Sequence, residues 1–368
     1  MPLLIEPYRA EHEGAVAAFN GRGKANGAPF GLSKTWLAGW LPKRDGAEVF
    51  REFFLALDGG EVHGGFTLRR QKFWLRGEVV DAANYQGPLS EGLWDRRYMM
   101  AGVQLLRAAL REQPLLYALG MGGLEQPLPK QLASAGWALA PVPFRFRVLR
   151  GSRFLRNIRP LRRTRARSLI ADIAAWSGVG PLALQLVQRL RCKTKPRGEV
   201  SRQDEFGAWA DTVWDRARGG YAFCAVRDAA ALNGTFRGTT DKNLILRARR
   251  DGRDIGWALV RLTAMSGDKY FGDLRIGTLV DAMALPGEEA AVVALATRHL
   301  REQGADLVVS NQSHVAWLGA LGANGYLSGP SNFIFAASPQ LAERLGPLAE
   351  SLPTLHFNRA DGDGPIHL

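Results

Sequence analysis

Cysteine is scarce: the chain has two in 368 residues, Cys192 and Cys224. Two thiols cannot build a disulfide framework, and no C-x-x-C spacing exists for zinc. A reducing, cytoplasmic compartment is therefore expected. Histidine is also sparse. His12, His63, His299, His314, His356 and His367 fall in no H-E-x-x-H or comparable arrangement, so no metal is expected. No run of about 18 apolar residues is present, which argues against a spanning helix. The nearest approach, residues 168–190, is interrupted by Asp172, Arg189 and a Gly178-Val179-Gly180-Pro181 break. Residues 1–6 show no basic stretch ahead of an apolar core, so no signal peptide is expected. A Walker loop, a dinucleotide fingerprint and a nucleophile elbow around a serine are likewise missing.

Acidic residues are nearly missing from one stretch. Residues 145–197 hold 15 Lys and Arg against a single acid, Asp172. The whole chain carries a formal +13, so the rest of it is close to neutral. The basic character belongs to one segment and not to the protein at large.

What is present is a repeat. LASAGWALAPVPFRF at 132–146 matches LGANGYLSGPSNFIF at 321–335 without a gap at Leu132/Leu321, Gly136/Gly325, Trp137/Tyr326, Pro141/Pro330, Phe144/Phe333 and Phe146/Phe335. Upstream, Leu110-Arg111-Glu112-Gln113 recurs as Leu300-Arg301-Glu302-Gln303. Gly77-x-x-Val80-Asp81-Ala82 recurs as Gly277-x-x-Val280-Asp281-Ala282, and Asp58-Gly59 as Asp251-Gly252. Ordered blocks at a near-constant offset read as two tandem domains of one fold, too long and too few for a solenoid.

Each copy predicts the same elements. Strands at 53–57 and 244–249 run into Asp-Gly hairpin signals and return at 62–68 and 255–262. A third strand ends at Val-Asp-Ala. Helices follow at about 95–112 and 289–303, from their apolar spacing. Short strands at 115–119 and 306–309, a second helix, the Gly-aromatic step and a last hairpin complete the copy. Helical material opens each, at 9–20 and 203–216. The fold class is α+β: two mostly antiparallel sheets flanked by helices. The expected domains are 1–150 and 203–340, with a basic amphipathic helical connector at 151–202 and a partly disordered tail at 341–368.

That order, with the central strand before a turn and helix and the late Gly-aromatic phrase, resembles the GNAT N-acyltransferases over about residues 5–150 and 203–337. Arg227-Asp228-Ala229-Ala230-x-Leu232-Asn233 is similar to a phrase of GNAT-like proteins encoded near bacterial exopolysaccharide genes. Tandem GNAT domains also resemble the FemAB-type transferases, which use aminoacyl-tRNA. The resemblance implies acetyl-CoA or another acyl-CoA as substrate, with an amine of a polysaccharide precursor or metabolite, or a lipid-linked sugar, as acceptor. A FemAB-like variant would draw on aminoacyl-tRNA, and two degenerate lobes would serve as a binding scaffold.

In the GNAT fold the pyrophosphate rests on backbone N–H groups at a helix start. The first copy offers Gln86, Gly87, Ser90 and Gly92 for that loop; the second offers Gly287 and Ala290, beside Glu288 and Glu289, which repel phosphate. Candidate catalytic residues are Asp81 and Asp281 as general bases, or as structural loop caps. Asn311 follows a short strand. His314 is a proton relay or an ordinary helix-start residue, and Tyr326 a general acid or a packing aromatic.

In the basic segment, Arg153, Arg156, Arg159, Arg162, Arg163, Arg165 and Arg167 interleave with Phe154, Leu155, Ile158, Leu161 and Leu169. Two apolar helices are expected at 169–176 and 182–190, followed by Arg189, Arg191, Lys193, Lys195 and Arg197. Residues 153–197 then read as an interfacial element on an anionic membrane with Trp176 at headgroup level, peripheral to the inner face. The alternatives are an inter-domain connector or an RNA contact through phosphate.

Overall fold

The computed structural model describes residues 3–28, 30–32, 41–159, 179–195, 197–236, 239 and 242–363. The expected helix at 169–176, Trp176 and the arginines at 162–167 lie outside the described residues. The chain runs β1 (Leu4–Pro7), α1 (Glu13–Ala25), β2 (Phe50–Asp58), β3 (Glu61–Leu75), β4 (Glu78–Ser90), α2 (Ala101–Glu112), β5 (Leu116–Gly120), α3 (Pro127–Ser134), β6 (Ala138–Pro141) and β7 (Phe144–Val148). It continues α4 (Gly151–Asn157), α5 (Val179–Arg191), β8 (Glu199–Gln203), α6 (Ala208–Ala217), β9 (Phe223–Ala225), α7 (Ala229–Phe236), β10 (Asn243–Arg250), β11 (Arg253–Ala264) and β12 (Arg275–Ala284). It ends α8 (Glu289–Glu302), β13 (Leu307–Asn311), α9 (Val315–Ala323), β14 (Leu327–Gly329), β15 (Ile334–Ala337), α10 (Pro339–Leu345), α11 (Leu348–Ser351) and β16 (Leu355–His356).

The hairpins form where the turn chemistry placed them. Gly59 and Gly60 adopt positive φ between the paired Asp58 and Glu61, and Asp251 and Gly252 do the same between Arg250 and Arg253. Two consecutive left-handed residues give the turn whose twist matches the flanking strands. Helix α2 begins later than the periodicity suggests. Asp95 accepts from the Arg97 N–H at 2.9 Å and caps a short 3-10 turn, so the α-helix starts only at Ala101.

The chain folds as two compact units. Unit 1 comprises residues 1–73, 78–140 and 334–348; unit 2 comprises 74–77, 141–333 and 349–368. Unit 1 is built on strand order β1-β2-β3-β4-β5-β15-β6, and unit 2 on β14-β7-β13-β12-β11-β10-β8. In each, one parallel pair, β4 with β5 or β12 with β13, sits among antiparallel neighbours. These compact units differ from the boundaries drawn from the repeat. Strand β15, from the second copy, pairs with β5 in unit 1, and β7, from the first, pairs with β13 in unit 2. Each copy donates its Phe-x-Phe strand to the other's sheet. The connector also differs from expectation, because β8 at its end pairs with β10.

Unit 1 packs Leu105, Leu106 and Ala109 of α2 on Phe54, Phe66, Ala83 and Tyr85, and Val16 and Phe19 of α1 on Phe53, Leu55 and Leu57. Unit 2 buries Trp257 edge-to-face against Phe206, ring centroids 5.0 Å apart, in one core with Val213, Trp214, Val293 and Trp317. Gly256 has φ +156, and a Cβ there would lie 2.4 Å from the Met283 carbonyl oxygen and 2.8 Å from a Val292 methyl. Gly256→Ala is expected to destabilise the chain by more than about 1 kcal/mol, because it combines backbone strain with overpacking. A urea midpoint unchanged from wild type would contradict this.

The tail is another departure. Leu341 and Leu345 are buried in unit 1, and Leu355, His356, Phe357, Asn358 and Asp361 are buried in unit 2. Its Asn- and Asp-rich composition predicts partial disorder, but Asn358 donates to Asp281 and Asp361 accepts from Arg227 inside the unit. Residues 364–368 lie outside the described residues.

Candidate functional site

Each parallel pair is hydrogen-bonded over a short stretch and then parts. In unit 1 the ladder comprises Ala83↔Leu116 and Asn84↔Tyr117, after which β4 runs on to Ser90 and β5 to Gly120. In unit 2 it comprises Ile276↔Leu307, Gly277↔Val308 and Thr278↔Val309, after which β12 continues to Ala284. Parting strands leave backbone donors and acceptors on facing edges, which a native structure must satisfy by other means.

The ladders overturn one equivalence drawn from sequence. Asp81 precedes the paired residues of β4, whereas Asp281 follows those of β12. The two aspartates are at opposite ends of their parallel ladders, so the shared Val-Asp-Ala phrase does not mark matching positions. Asp81 is exposed; Asp281 is buried. Gly77 and Gly277 differ likewise: the first takes φ +107 in the β3–β4 turn, the second lies under Leu300 of α8.

Asp281 belongs to a buried ionic cluster. The Arg227 Nε donates to both Asp281 oxygens at 3.1 Å, and its Nη2 to both Asp361 oxygens at 3.0 and 2.9 Å. Nη1 donates to the Ala225 carbonyl and to Cys224 Sγ, each at 3.1 Å. Asp281 Oδ1 also accepts from Asn358 Nδ2 at 2.6 Å and the Ala282 N–H at 2.8 Å. Burial pushes the Asp281 carboxyl up, against the pull of Arg227. Burial likewise pushes the Cys224 thiol up to about 12, so it is a packed, protonated sulfur.

The C-terminal segment closes over this end of the sheet. Gln312 bridges to Asn358, the Ser313 N–H donates to the Phe357 carbonyl at 3.1 Å, and Arg359 Nη1 donates to Asn311 Oδ1 at 3.0 Å. Together with Asn358 on Asp281, these bonds tie one segment to both β12 and the end of β13. The gap where the strands of unit 2 part is filled by the chain itself.

Of the remaining candidates of unit 2, Asn311, His314 and Tyr326 each have a hydrogen-bond partner within the unit. Asn311 is buried at the end of β13, with Nδ2 3.5 Å from the Val142 carbonyl. His314 caps α9, its Nδ1 accepting from the Ala316 N–H at 3.3 Å, and burial lowers its pKa. Tyr326 is buried with its hydroxyl 2.8 Å from that of Thr297, and burial pushes it up to about 12. Gly287 adopts φ +87 in the turn before α8, and Ala290 lies in the first turn of α8. There Glu288 pairs with Arg250, and Glu289 adds a second carboxylate.

His356 adjoins the cluster, fully buried, with its ring 4.7 Å from that of Tyr221. Burial, then the Arg227 charge, hold its pKa well below the ordinary imidazole range. A depressed base stabilises the fold above its unfolded pKa, and that stability is lost as pH falls. Asp281, raised, acts in the opposite sense: its contribution grows as pH falls toward the ordinary carboxylate range. On acidification from about pH 7 to 5, His356→Gln is therefore expected to gain stability relative to wild type, at up to about 1.4 kcal/mol per pH unit. Asp281→Asn is expected to lose it. Urea unfolding at several pH values measures both slopes, and parallel curves would refute the assignment.

Unit 1 is arranged differently. Gln86 is buried and Gly87 takes φ +51 where β4 leaves its ladder. Gly92 is a close-approach glycine: a Cβ would lie 2.5 Å from the Tyr98 carbonyl oxygen. Beside it Glu91 is locked by Arg22, at 3.0 Å from Nε and Nη2, and by His63 Nδ1 at 2.6 Å, with Tyr98 stacked on His63. Burial pushes Glu91 up, but these hydrogen bonds outweigh it and its carboxyl lies below the usual range. This network fixes the loop leading into α2.

At the start of α2 the N-cap is Met100, without a side-chain cap bond, and the first turn holds no acid. A Cβ on Gly102 would lie 3.1 Å from Gln131 Nε2 and 3.6 Å from Ser90 Oγ. Two neutral polar side chains thus reach a helix start with uncapped backbone donors. At the ladder's end, Arg69 Nη2 donates to the buried Tyr117 hydroxyl at 3.1 Å.

No local sequence signal marks Gln131, Arg69 or Tyr117. Gly120-Met121-Gly122-Gly123, four consecutive residues with positive φ, close β5 and follow it, and a glycine cluster at the end of an apolar strand is a signal that sequence carries. Among the described residues, no group of three or more His, Cys, Asp or Glu is placed to hold a metal ion. No helix among them is long and apolar enough to cross a membrane.

No protein-family model matches the sequence, and no curated protein matches it. Solved structures do. A GCN5-related N-acetyltransferase from Anabaena variabilis superposes with TM-score 0.57 at 11% identity, over 94% of this chain and 75% of that one. A probable N-acyltransferase of unknown function from Enterococcus faecalis gives 0.51 at 10% identity, over 94% and 74%. Saccharomyces cerevisiae N-myristoyltransferase with bound myristoyl-CoA and inhibitors gives 0.50 at 12%, over 92% and 79%. The chain thus has the GNAT fold, in two units of mostly antiparallel sheet flanked by helices.

Proposed function

We propose that the protein is an acyl-CoA-dependent N-acyltransferase whose acyl-CoA binds in unit 1. One observation carries the choice of unit. The α2 start is free of acids, with Ser90 and Gln131 at Gly102, whereas the α8 start carries Glu288 and Glu289. An anion is favoured at the first and repelled at the second. The α2 backbone donors, with Ser90 and Gln131, hold the pyrophosphate. The pantetheine arm lies along the edges of β4 and β5 where they part, which puts the thioester near Asn84, Gln86 and Tyr117. An acceptor amine attacks the thioester carbonyl carbon, the C–S bond breaks with its electron pair on sulfur, and the proton lost by the amine passes to that departing sulfur, giving the amide and the free CoA thiol. The chain contributes chiefly by holding the reactants in line. Asp281 is assigned no base role, because its oxygens are already taken by Arg227, Asn358 and the Ala282 N–H.

The acceptor class is an amine. A polysaccharide-precursor acceptor rested on the Arg227–Asn233 phrase, and its residues have folding partners. Arg227 anchors the ionic cluster, Asp228 Oδ1 accepts from the Ala231 N–H, and Asn233 exchanges two hydrogen bonds with the Phe206 backbone. Calorimetric titration of the full chain with acetyl-CoA and longer acyl-CoAs tests the reading. Saturable binding that Gly102→Glu weakens by at least about tenfold supports it; no binding by any acyl-CoA would sink it.

A further inference from the structure

Helix α5 presents a partly apolar face to the outside. One side is anchored: Gln188 is buried and exchanges hydrogen bonds with the Val148 backbone at 2.8 and 3.0 Å. Pro181 packs on Gly151, where a Cβ would lie 2.8 Å away, and Cys192 bridges to Asn324. Among the described residues, nothing covers the other side. Leu182 is 66% exposed, Leu186 59%, Val187 42% and Leu190 74%. At about 100° per residue, Leu182, Ala183, Leu186, Val187 and Leu190 fall within an arc of roughly 140°, opposite Gln188. Arg189 and Arg191 border that arc on either side. Lys193, Lys195 and Arg197 follow, exposed, and no acidic residue occurs in 179–198. Arg156 and Arg159, on and just after the adjoining α4, are also exposed.

From this juxtaposition we infer that α5 docks the protein on an anionic lipid bilayer, with Leu182, Leu186 and Leu190 in the acyl boundary and the flanking cations at the headgroups. A leucine stripe bordered by arginines, on a helix otherwise fixed by Gln188 and Pro181, is the geometry of an interfacial helix. The uniform positive charge selects the partner: an anionic surface attracts each basic residue, whereas a second copy of this chain would oppose like charges across the contact. RNA would leave the leucines without a role.

The test uses the full chain with vesicles of phosphatidylcholine alone and of phosphatidylcholine mixed with phosphatidylglycerol, in a co-sedimentation assay. Binding to the anionic vesicles is expected to exceed binding to the neutral ones by at least about tenfold and to weaken with salt. Leu186→Glu with Leu190→Glu, and separately Arg189→Glu with Arg191→Glu, are each expected to weaken it by about tenfold or more. Both pairs point outward, so the thermal midpoint should stay at the wild-type value, which shows that loss of binding is not loss of fold. Equal binding to the two vesicle types, or unchanged binding by the leucine pair, overturns the inference. So does a dimer, or a complex with single-stranded RNA, that the leucine pair abolishes while vesicles are ignored. The assay does not depend on acyl-CoA, so its outcome is separate from that of the transferase reading.

Discussion

Arg227→Ala is expected to cost about 3–5 kcal/mol, enough to unfold a large share of a marginally stable chain. Arg227 is 2% exposed and is held between two carboxylates that are themselves buried. Removing it leaves Asp281 and Asp361 facing one another without the cation, in a place where water cannot replace it. The penalty is that of two uncompensated buried charges rather than the net worth of the ion pairs. This separates two explanations of a destabilised variant. If buried charge is the cause, Arg227→Met combined with Asp281→Asn and Asp361→Asn should recover most of the loss, because all formal charges are then gone. If the triple variant is as unstable as Arg227→Ala, packing or hydrogen bonding dominates. Urea unfolding followed by tryptophan fluorescence reads the difference directly. A loss under about 1 kcal/mol for Arg227→Ala would refute the account, since that is the range of an exposed pair.

Titration with an acyl-CoA is expected to give one site per chain, although the fold contains two copies of the same scaffold. The parting strands of unit 2 are bridged by the segment carrying Phe357, Asn358 and Arg359, and the α8 start carries two glutamates. Unit 1 has a carboxylate-free helix start beside Ser90 and Gln131. Gly102→Glu would place a negative charge at the phosphate position. At an effective dielectric of about 20 a like charge a few ångströms away costs a few kcal/mol, so an affinity loss of about 30-fold is expected. Glu288→Gln with Glu289→Gln should leave affinity and stoichiometry unchanged. Two sites per chain would show that both units bind, and a loss of affinity in the unit 2 variant would place the ligand there; either overturns the choice of unit 1 alone.

Much of the fold was legible because local signals coincided. Asp58-Gly59 and Asp251-Gly252 marked hairpins, amphipathic spacing marked α2 and α8, and the Gly-aromatic step marked the end of each copy. The site was less legible. Val-Asp-Ala recurs in sequence, but a shift in strand register puts Asp81 at an exposed strand start and Asp281 in a buried cluster. A three-residue match carries no information about which partner strand a residue faces. Arg227 stood out only as part of a phrase. Its partners lie 54 and 134 residues away, a separation over which no local pattern reports.

The sequence by itself determined the duplication, the alternation of strands and helices, the confinement of positive charge to one segment and the weak phosphate loop of the second copy. These depend on residue spacing and composition, which are local. Only the tertiary structure decided that β7 and β15 trade sheets, that the tail is built into the cores, and that Asp281 is spent on Arg227 and Asn358. Each of those is set by which distant backbone edges and buried charges must find partners, and that demand is met by contacts between segments far apart in the chain.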